Sequence, residues 1–357
     1  MKTEKTDRKV YIDLLRILAC FSVIMLHSAS QHWYELSVTD FRWIVCNTYD
    51  ALFRFGVPVF VMISGALFLN RSGGIDLRHL YRRNILRLVT AYWFWSFVYG
   101  LWDCRAWFGA EGTVWRDYVM EFLLGRYHLW FIPMLVGIYV ILPVLKTWTD
   151  HATKRQVEYF LVLFLILQIG ISTLRIIRIP TMGEVVLQFI NVEMVCSYAG
   201  YFILGYYLRK YPPVQKQCRI LYLLGIVGGI AAALVSILVS VHRGEANAAA
   251  YDSFSLFTCL VSVALFLFFQ EQIAHRDWSD RSRKWIGEMS LNSFGIYLAH
   301  ILILEALQSI GIDSMFLFGK EVSGIWGIPC LALFCFLVGN MIITLLRRIP
   351  FAGKYIC

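Results

Sequence analysis

The sequence predicts an all-α integral membrane protein, a bundle of about ten transmembrane helices with both termini cytoplasmic. Three observations carry that expectation. Of the 357 residues, 59% are hydrophobic and only 16% are charged, which is more apolar material than a soluble domain of this size has room to bury. Apolar segments of bilayer-spanning length recur from one end of the chain to the other. Lys and Arg are dense in alternate connections and sparse in those between, the pattern of the positive-inside rule.

In order, the segments lie at about 10–29, 51–69, 84–102, 129–145, 157–174, 194–208, 219–241, 253–270, 291–312 and 324–346. The first, Tyr11–Ser30, is long enough to cross once, yet it holds Asp13, Arg16 and His27. The second carries Arg54 near its outer end, and the third opens on Tyr81-Arg82-Arg83-Asn84-Ile85-Leu86-Arg87. Pro133 and Pro143 fall in the fourth, which a span tolerates where neighbouring groups take up the freed carbonyls. The sixth is short, though Ile190–Val195 can extend it, and Glu193 marks its outer start. The ninth places Tyr297 and His300 near mid-depth. The connections at about 30–50 and 103–128 are the longest and are rich in Trp and Tyr, as befits interfacial helices or a lid.

Between the spans, twenty-two Lys and Arg lie on the side of the termini and eight on the other, with Arg16, Arg54 and Arg87 inside spans. One missed span would scramble this alternation. The net charge of +9 thus belongs to topology, and no nucleic-acid partner is expected. The nine Cys have no paired CxxC spacing, so neither a metal nor a disulfide framework is indicated. The basic N-terminus followed by an apolar run superficially suits a signal peptide. That run is too long, contains Arg16 and ends in a weak small-residue cluster, so it reads as a retained span. No soluble domain, low-complexity tract or internal repeat stands out, and residues 1–357 read as one polytopic domain with no appended soluble domain.

Arg16 and His27 are eleven residues apart, which is about three full turns plus 20° and about 16 Å of rise, so they share one helix face. Asp13 stands three residues before Arg16, close to the same face. Ionisable groups inside a span are costly unless they face protein, a polar cavity or each other. Asp13 and Arg16 can also serve as a snorkelling anchor, and His27 as an interfacial histidine, but that leaves their alignment without a purpose. An imidazole can act as a general base or accept a group covalently, and the sequence leaves both routes open. Arg83 and Arg87 share a face with Arg82 adjacent, a cluster that can anchor topology or grip phosphate oxygens with its guanidinium forks.

Arg16 and His27 with ten residues between them resemble the Arg-x10-His signature of the acyltransferase-3 family, multispan enzymes that move acyl groups, usually acetyl from acetyl-CoA, onto extracytoplasmic glycans. Ile12-Asp13-Leu14-Leu15-Arg16 resembles that family's opening, and Val57-Pro58 through Ser64-Gly65 resembles its second-span pattern. The arginines at 82, 83 and 87, His128-Leu129-Trp130-Phe131, and Tyr297-Leu298-Ala299-His300 resemble later segments, in the same order, from Asp13 to His300.

The resemblance implies a membrane acyltransferase, O-acetyltransferase-like. It would move an acyl group, acetyl in the expected case, from cytoplasmic acyl-CoA to a hydroxyl of a cell-envelope glycan or lipid-linked sugar. His27, Arg16 and Asp13 would be catalytic, and Arg82, Arg83 and Arg87 would hold the phosphates of acetyl-CoA. His128, Trp130, Glu193, Tyr297, His300 and Arg54 would line the substrate site, with no metal. The expected location is the cell (cytoplasmic) membrane, multi-pass. The alternative is a glycan or lipid transporter or flippase without covalent chemistry, since buried Asp, Arg, His and Glu also suit ion pathways.

Overall fold

The structure, a computed structural model, describes residues 9–107, 115–174, 176 and 193–357, with backbone alone at 104–107, 115–118, 121 and 193–196. Its helices are α1 (Val10–Ala29), α2 (Phe41–Phe53), α3 (Gly56–Phe68), α4 (Leu86–Trp107), α5 (Trp115–Leu124), α6 (Phe131–His151) and α7 (Lys154–Leu163). They continue as α8 (Glu193–Lys210), α9 (Gln215–Arg243), α10 (Leu256–Phe268), α11 (Asp280–Gln308), α12 (Gly324–Leu346) and the short α13 (Pro350–Tyr355). Among the described residues the only strands are a two-residue hairpin, Phe316–Leu317 with Lys320–Glu321, in the α11–α12 connection.

Among the described residues, eight helical stretches are long and apolar enough to cross a membrane: Val10–His32, Phe41–Phe68, Tyr127–His151, Lys154–Leu174, Gln215–Arg243, Ala249–Ile273, Asp280–Gln308 and Gly324–Leu346. The third and sixth expected spans are also helices, α4 and α8, but their composition is more polar. Trp, Tyr and Ser dilute α4, and α8 holds Glu193, Arg209 and Lys210 in its 18 residues. The all-α membrane class stands.

The first helix is the hub. It packs against α11, α3, α12 and α2, and Leu15, Ala19, Cys20, Ile24 and Ala29 are fully buried. A peripheral helix shows the opposite pattern. On α9 the exposed Leu223, Val227, Leu234, Leu238 and Val241 recur at helical spacing, a stripe suited to acyl chains rather than water. Some polar groups inside the bundle tie helices together, as suits a water-free interior. The Asn47 carbonyl oxygen accepts from Trp33 Nε1 at 3.3 Å, Ser236 Oγ at 3.0 Å and the Tyr251 hydroxyl at 3.0 Å, tying α2 to α9.

A close approach lies between α3 and α8. A Cβ on Gly65 would overlap the Phe202 carbonyl, and one on Gly205 would overlap the Met62 carbonyl. Each glycine therefore makes room for the backbone of the other helix. This contact fixes α3, which lends Phe60 and Ser64 to the cavity described next.

Candidate active site

A cavity of about 810 Å³ opens at the end of the bundle where α1 begins. Arg82, Arg83 and Arg87 line its mouth, with His79, Lys354 and Tyr355. The cause is local. The lead-in to α4 starts at Asp76, whose side chain accepts from the Arg78 and His79 backbone N–H groups at 2.9 and 3.3 Å. It then runs through a π-helical turn, Leu80–Ile85. Bonds of i→i+5 type widen that turn and bring Arg82 and Arg87, five apart, to the cavity together with Arg83. No Asp or Glu lines this cavity among the described residues, so its field is positive and favours phosphate-like anions. Arg87 also reaches sideways, donating to the Cys357 backbone carbonyl, with its guanidinium carbon 5.3 Å from the Phe294 ring centroid.

Deeper in, α1 contributes Arg16, opposite Ser64 of α3, Tyr139 of α6 and Ser290 of α11. Asp13 is buried and accepts from Ser290 Oγ at 2.6 Å. Asp13 is thus tied to the helix that carries His300 and does not reach out to the interface. The cavity narrows to an aromatic end made by Phe60, Phe131 and Tyr297, with ring centroids 6.1 Å apart for Phe60–Phe131 and 5.4 Å for Phe131–Tyr297.

Beyond that end stand three imidazoles. The His27 ring lies 5.1 Å from His300, and His300 lies 5.1 Å from His128. Tyr297 joins the two regions, 6.0 Å from His128 and 5.8 Å from His300, while its hydroxyl donates to the His128 carbonyl. His300 Nδ1 bonds the Tyr297 carbonyl. A carbonyl only accepts, so Nδ1 carries the proton and Nε2 presents its lone pair. That Nε2 is buried and without a hydrogen-bond partner among the described residues. His128 is similar, with Nε2 3.4 Å from the Leu298 carbonyl and Nδ1 buried and unpartnered among the described residues. These two free nitrogens give the cluster capacity to take up and relay protons.

The model of the acyltransferase domain family, Acyl_transf_3, matches residues 9–345, nearly the whole chain. The chain belongs to the acyltransferase-3 family. A search of curated proteins and one of solved structures each gave no match.

The remaining side chains of this membrane acyltransferase divide between the cluster and its surroundings. Tyr127, one residue before His128, sets its ring 5.6 Å from His27. Both belong to a 3-10 turn, Tyr127–Trp130, pinned to α11 by the Tyr297 hydroxyl and by Arg126. Arg126 bridges Asp103 of α4 at 2.8 Å and Glu305 of α11, a turn beyond His300. The Tyr99 hydroxyl inserts into the α11 ladder, donating to the Leu298 carbonyl at 2.8 Å and accepting from Leu302 N–H at 3.2 Å. Its ring lies 5.0 Å from His128.

Among the residues expected in a substrate site, His128, Tyr297 and His300 therefore meet at His27. Arg54 forms an ion pair with the buried Asp50, its Nε 2.8 Å from Oδ1, and lies 5.2 Å over the Tyr251 ring. Trp130 points away, 45% exposed, against Tyr198 at 5.5 Å. The Glu193 side chain lies outside the described residues. Sequence reasoning missed Tyr99, Arg126, Tyr127, Tyr139, Ser290 and Lys354. The signal closest to a clue was Glu305, a carboxylate within a span and without an evident partner, which is the kind of group that demands a cation.

Proposed function

We propose that this acyltransferase moves an acetyl group from acetyl-CoA, bound from the cytoplasm, to a hydroxyl of a cell-envelope glycan or lipid-linked sugar, at the cell membrane and with both termini cytoplasmic. One observation carries the proposal. A single cavity, with no acid lining it among the described residues, joins a mouth of four cations, Arg82, Arg83, Arg87 and Lys354, past the deeper Arg16 to an aromatic end that abuts the His27–His300–His128 cluster. A donor with a phosphate-rich head and a slender thioester arm fits that polarity. Arginine forks hold the phosphates at the mouth, and the arm runs past Tyr139 and Ser64 toward Tyr297. Since His27 is eleven residues above Arg16 on α1, the arm covers about 16 Å between them.

His27 acts as the general base. It takes the proton of the acceptor hydroxyl as that oxygen attacks the thioester carbonyl. A C–O bond forms, the C–S bond breaks, and CoA leaves as a thiolate that recovers the proton from the imidazolium. His300 Nε2, a lone pair without a hydrogen-bond partner among the described residues and on a ring 5.1 Å from that of His27, is the group at hand to take a proton relayed from His27. Reconstituted protein given labelled acetyl-CoA should release CoA when envelope glycans are supplied, and mass spectrometry should find an acetyl-sized gain on the glycan. Absence of both CoA release and acetylated product with every envelope fraction would contradict the proposal.

A further inference from the structure

We infer that α13, Pro350–Tyr355, completes the phosphate-binding mouth, with Lys354 as an additional phosphate ligand and Arg87 and Trp95 as the positioning residues that hold the segment there. The inference rests on the acyl-CoA reading above. The segment lies beyond the residues matched to the family, so nothing about the family assigns it. Its path is set locally. Pro350 occupies the first turn of the helix, as its fixed φ favours. Gly353 passes so close to α12 that a Cβ there would sit 2.6 Å from the Arg347 carbonyl oxygen. The segment folds back across α4. Ala352, Ile356 and Cys357 are buried, whereas Lys354 is exposed and lines the cavity together with the half-buried Tyr355.

Two anchors hold this arrangement, the buried Trp95 and the half-buried Arg87. Trp95 Nε1 donates to the Ile356 carbonyl at 3.0 Å, and the Arg87 guanidinium donates to the Cys357 carbonyl. Lys354 Nζ is 4.7 Å from the Tyr355 ring centroid, which restrains the side chain beside the mouth. It faces the same space as Arg82 and Arg83, with no carboxylate lining that space among the described residues. Cations grouped without a counter-charge repel one another and are reconciled by a polyanion. Arg87 accordingly has two tasks, lining the cavity and fastening the segment that brings Lys354.

The test is the affinity of the full chain, in detergent, for acetyl-CoA, measured calorimetrically at low salt. Lys354→Gln should weaken binding about 3- to 5-fold, as for an exposed ion pair, and Lys354→Glu should weaken it further. Trp95→Phe removes an anchor without altering charge and should weaken binding in the same direction. In the Trp95→Phe background, Lys354→Gln should then cost less than it does alone, the non-additivity expected when two residues act through one element. Arg83→Glu supplies the reference. If Arg83→Glu loses affinity and Lys354→Glu binds as wild type, the role of the segment is overturned. If both bind as wild type, the acyl-CoA reading falls and takes the inference with it.

Discussion

Replacing Arg126 by Met isolates the device that holds the histidines together. The substitution keeps the stem and removes the cation between Asp103 and Glu305, which are 18% and 24% exposed. Breaking a fully buried pair costs about 3–5 kcal/mol, and an exposed pair is worth about 0–1 kcal/mol. At this intermediate burial, two facing carboxylates without their cation should cost about 1–3 kcal/mol of stability. The catalytic effect should be larger than that loss implies. Arg126 immediately precedes the turn that sets Tyr127 against His27 and His128 against His300. A misplacement of about 1 Å at a reacting centre can lower a rate about 100-fold, so kcat should fall about 10- to 100-fold with little change in donor affinity. Arg126→Lys should recover only part, because an ammonium cannot span both acids as a planar fork does. Thermal unfolding and initial rates of CoA release on the same preparations give both numbers. A variant that loses stability but keeps kcat would show that the bridge braces the fold and does not position the site.

Other perturbations follow from the same contacts. Ser290→Ala removes the donor that holds the buried Asp13 at 2.6 Å and should cost about 1.5–3 kcal/mol, the range for a hydrogen bond to a charged group; chemical denaturation of purified protein checks it. Gly205→Ala forces a methyl into the Met62 carbonyl and should cost about 1–3 kcal/mol or block assembly, read as lower folded yield. Glycine-to-alanine at Gly137, whose added Cβ meets nothing within 4 Å, should be tolerated. Arg83→Glu should weaken acetyl-CoA binding at least about tenfold and leave membrane insertion intact, since it reverses a charge in an acid-free mouth; titration calorimetry and membrane fractionation decide it.

What the sequence disclosed and what it hid have a common physical cause. Arg16 and His27 were legible because both lie on one helix, where spacing alone fixes relative position. The arginines before α4 were legible as a cluster, but not their common orientation, which depends on the π-turn at Leu80–Ile85. His128 and His300 were expected in a substrate site, yet that they touch one another and that His27 touches His300 depends on three helices meeting. Arg126 and Glu305 are 179 residues apart, and no periodicity relates them. Lys354 stood out only as one of the basic residues after the last span. Span positions were readable from hydropathy, whereas α4 and α8, diluted by aromatic or charged residues, fall outside the eight helices that meet a length-and-hydropathy standard.

The central claim is that the cationic mouth binds the donor and that His27, beyond the aromatic end of that cavity, performs the transfer. The most direct measurement is His27→Ala and His27→Gln at wild-type abundance, with acetyl-CoA affinity and glycan acetylation determined on each. Affinity should stay within about twofold of wild type, because the phosphates are held far from His27. Transfer should fall by about 10²- to 10⁴-fold in both variants, since glutamine keeps a hydrogen bond but cannot accept the hydroxyl proton. Near-normal acetylation by either variant, with donor binding intact, would contradict the assignment of His27 as the base and leave the histidine cluster without its chemical role.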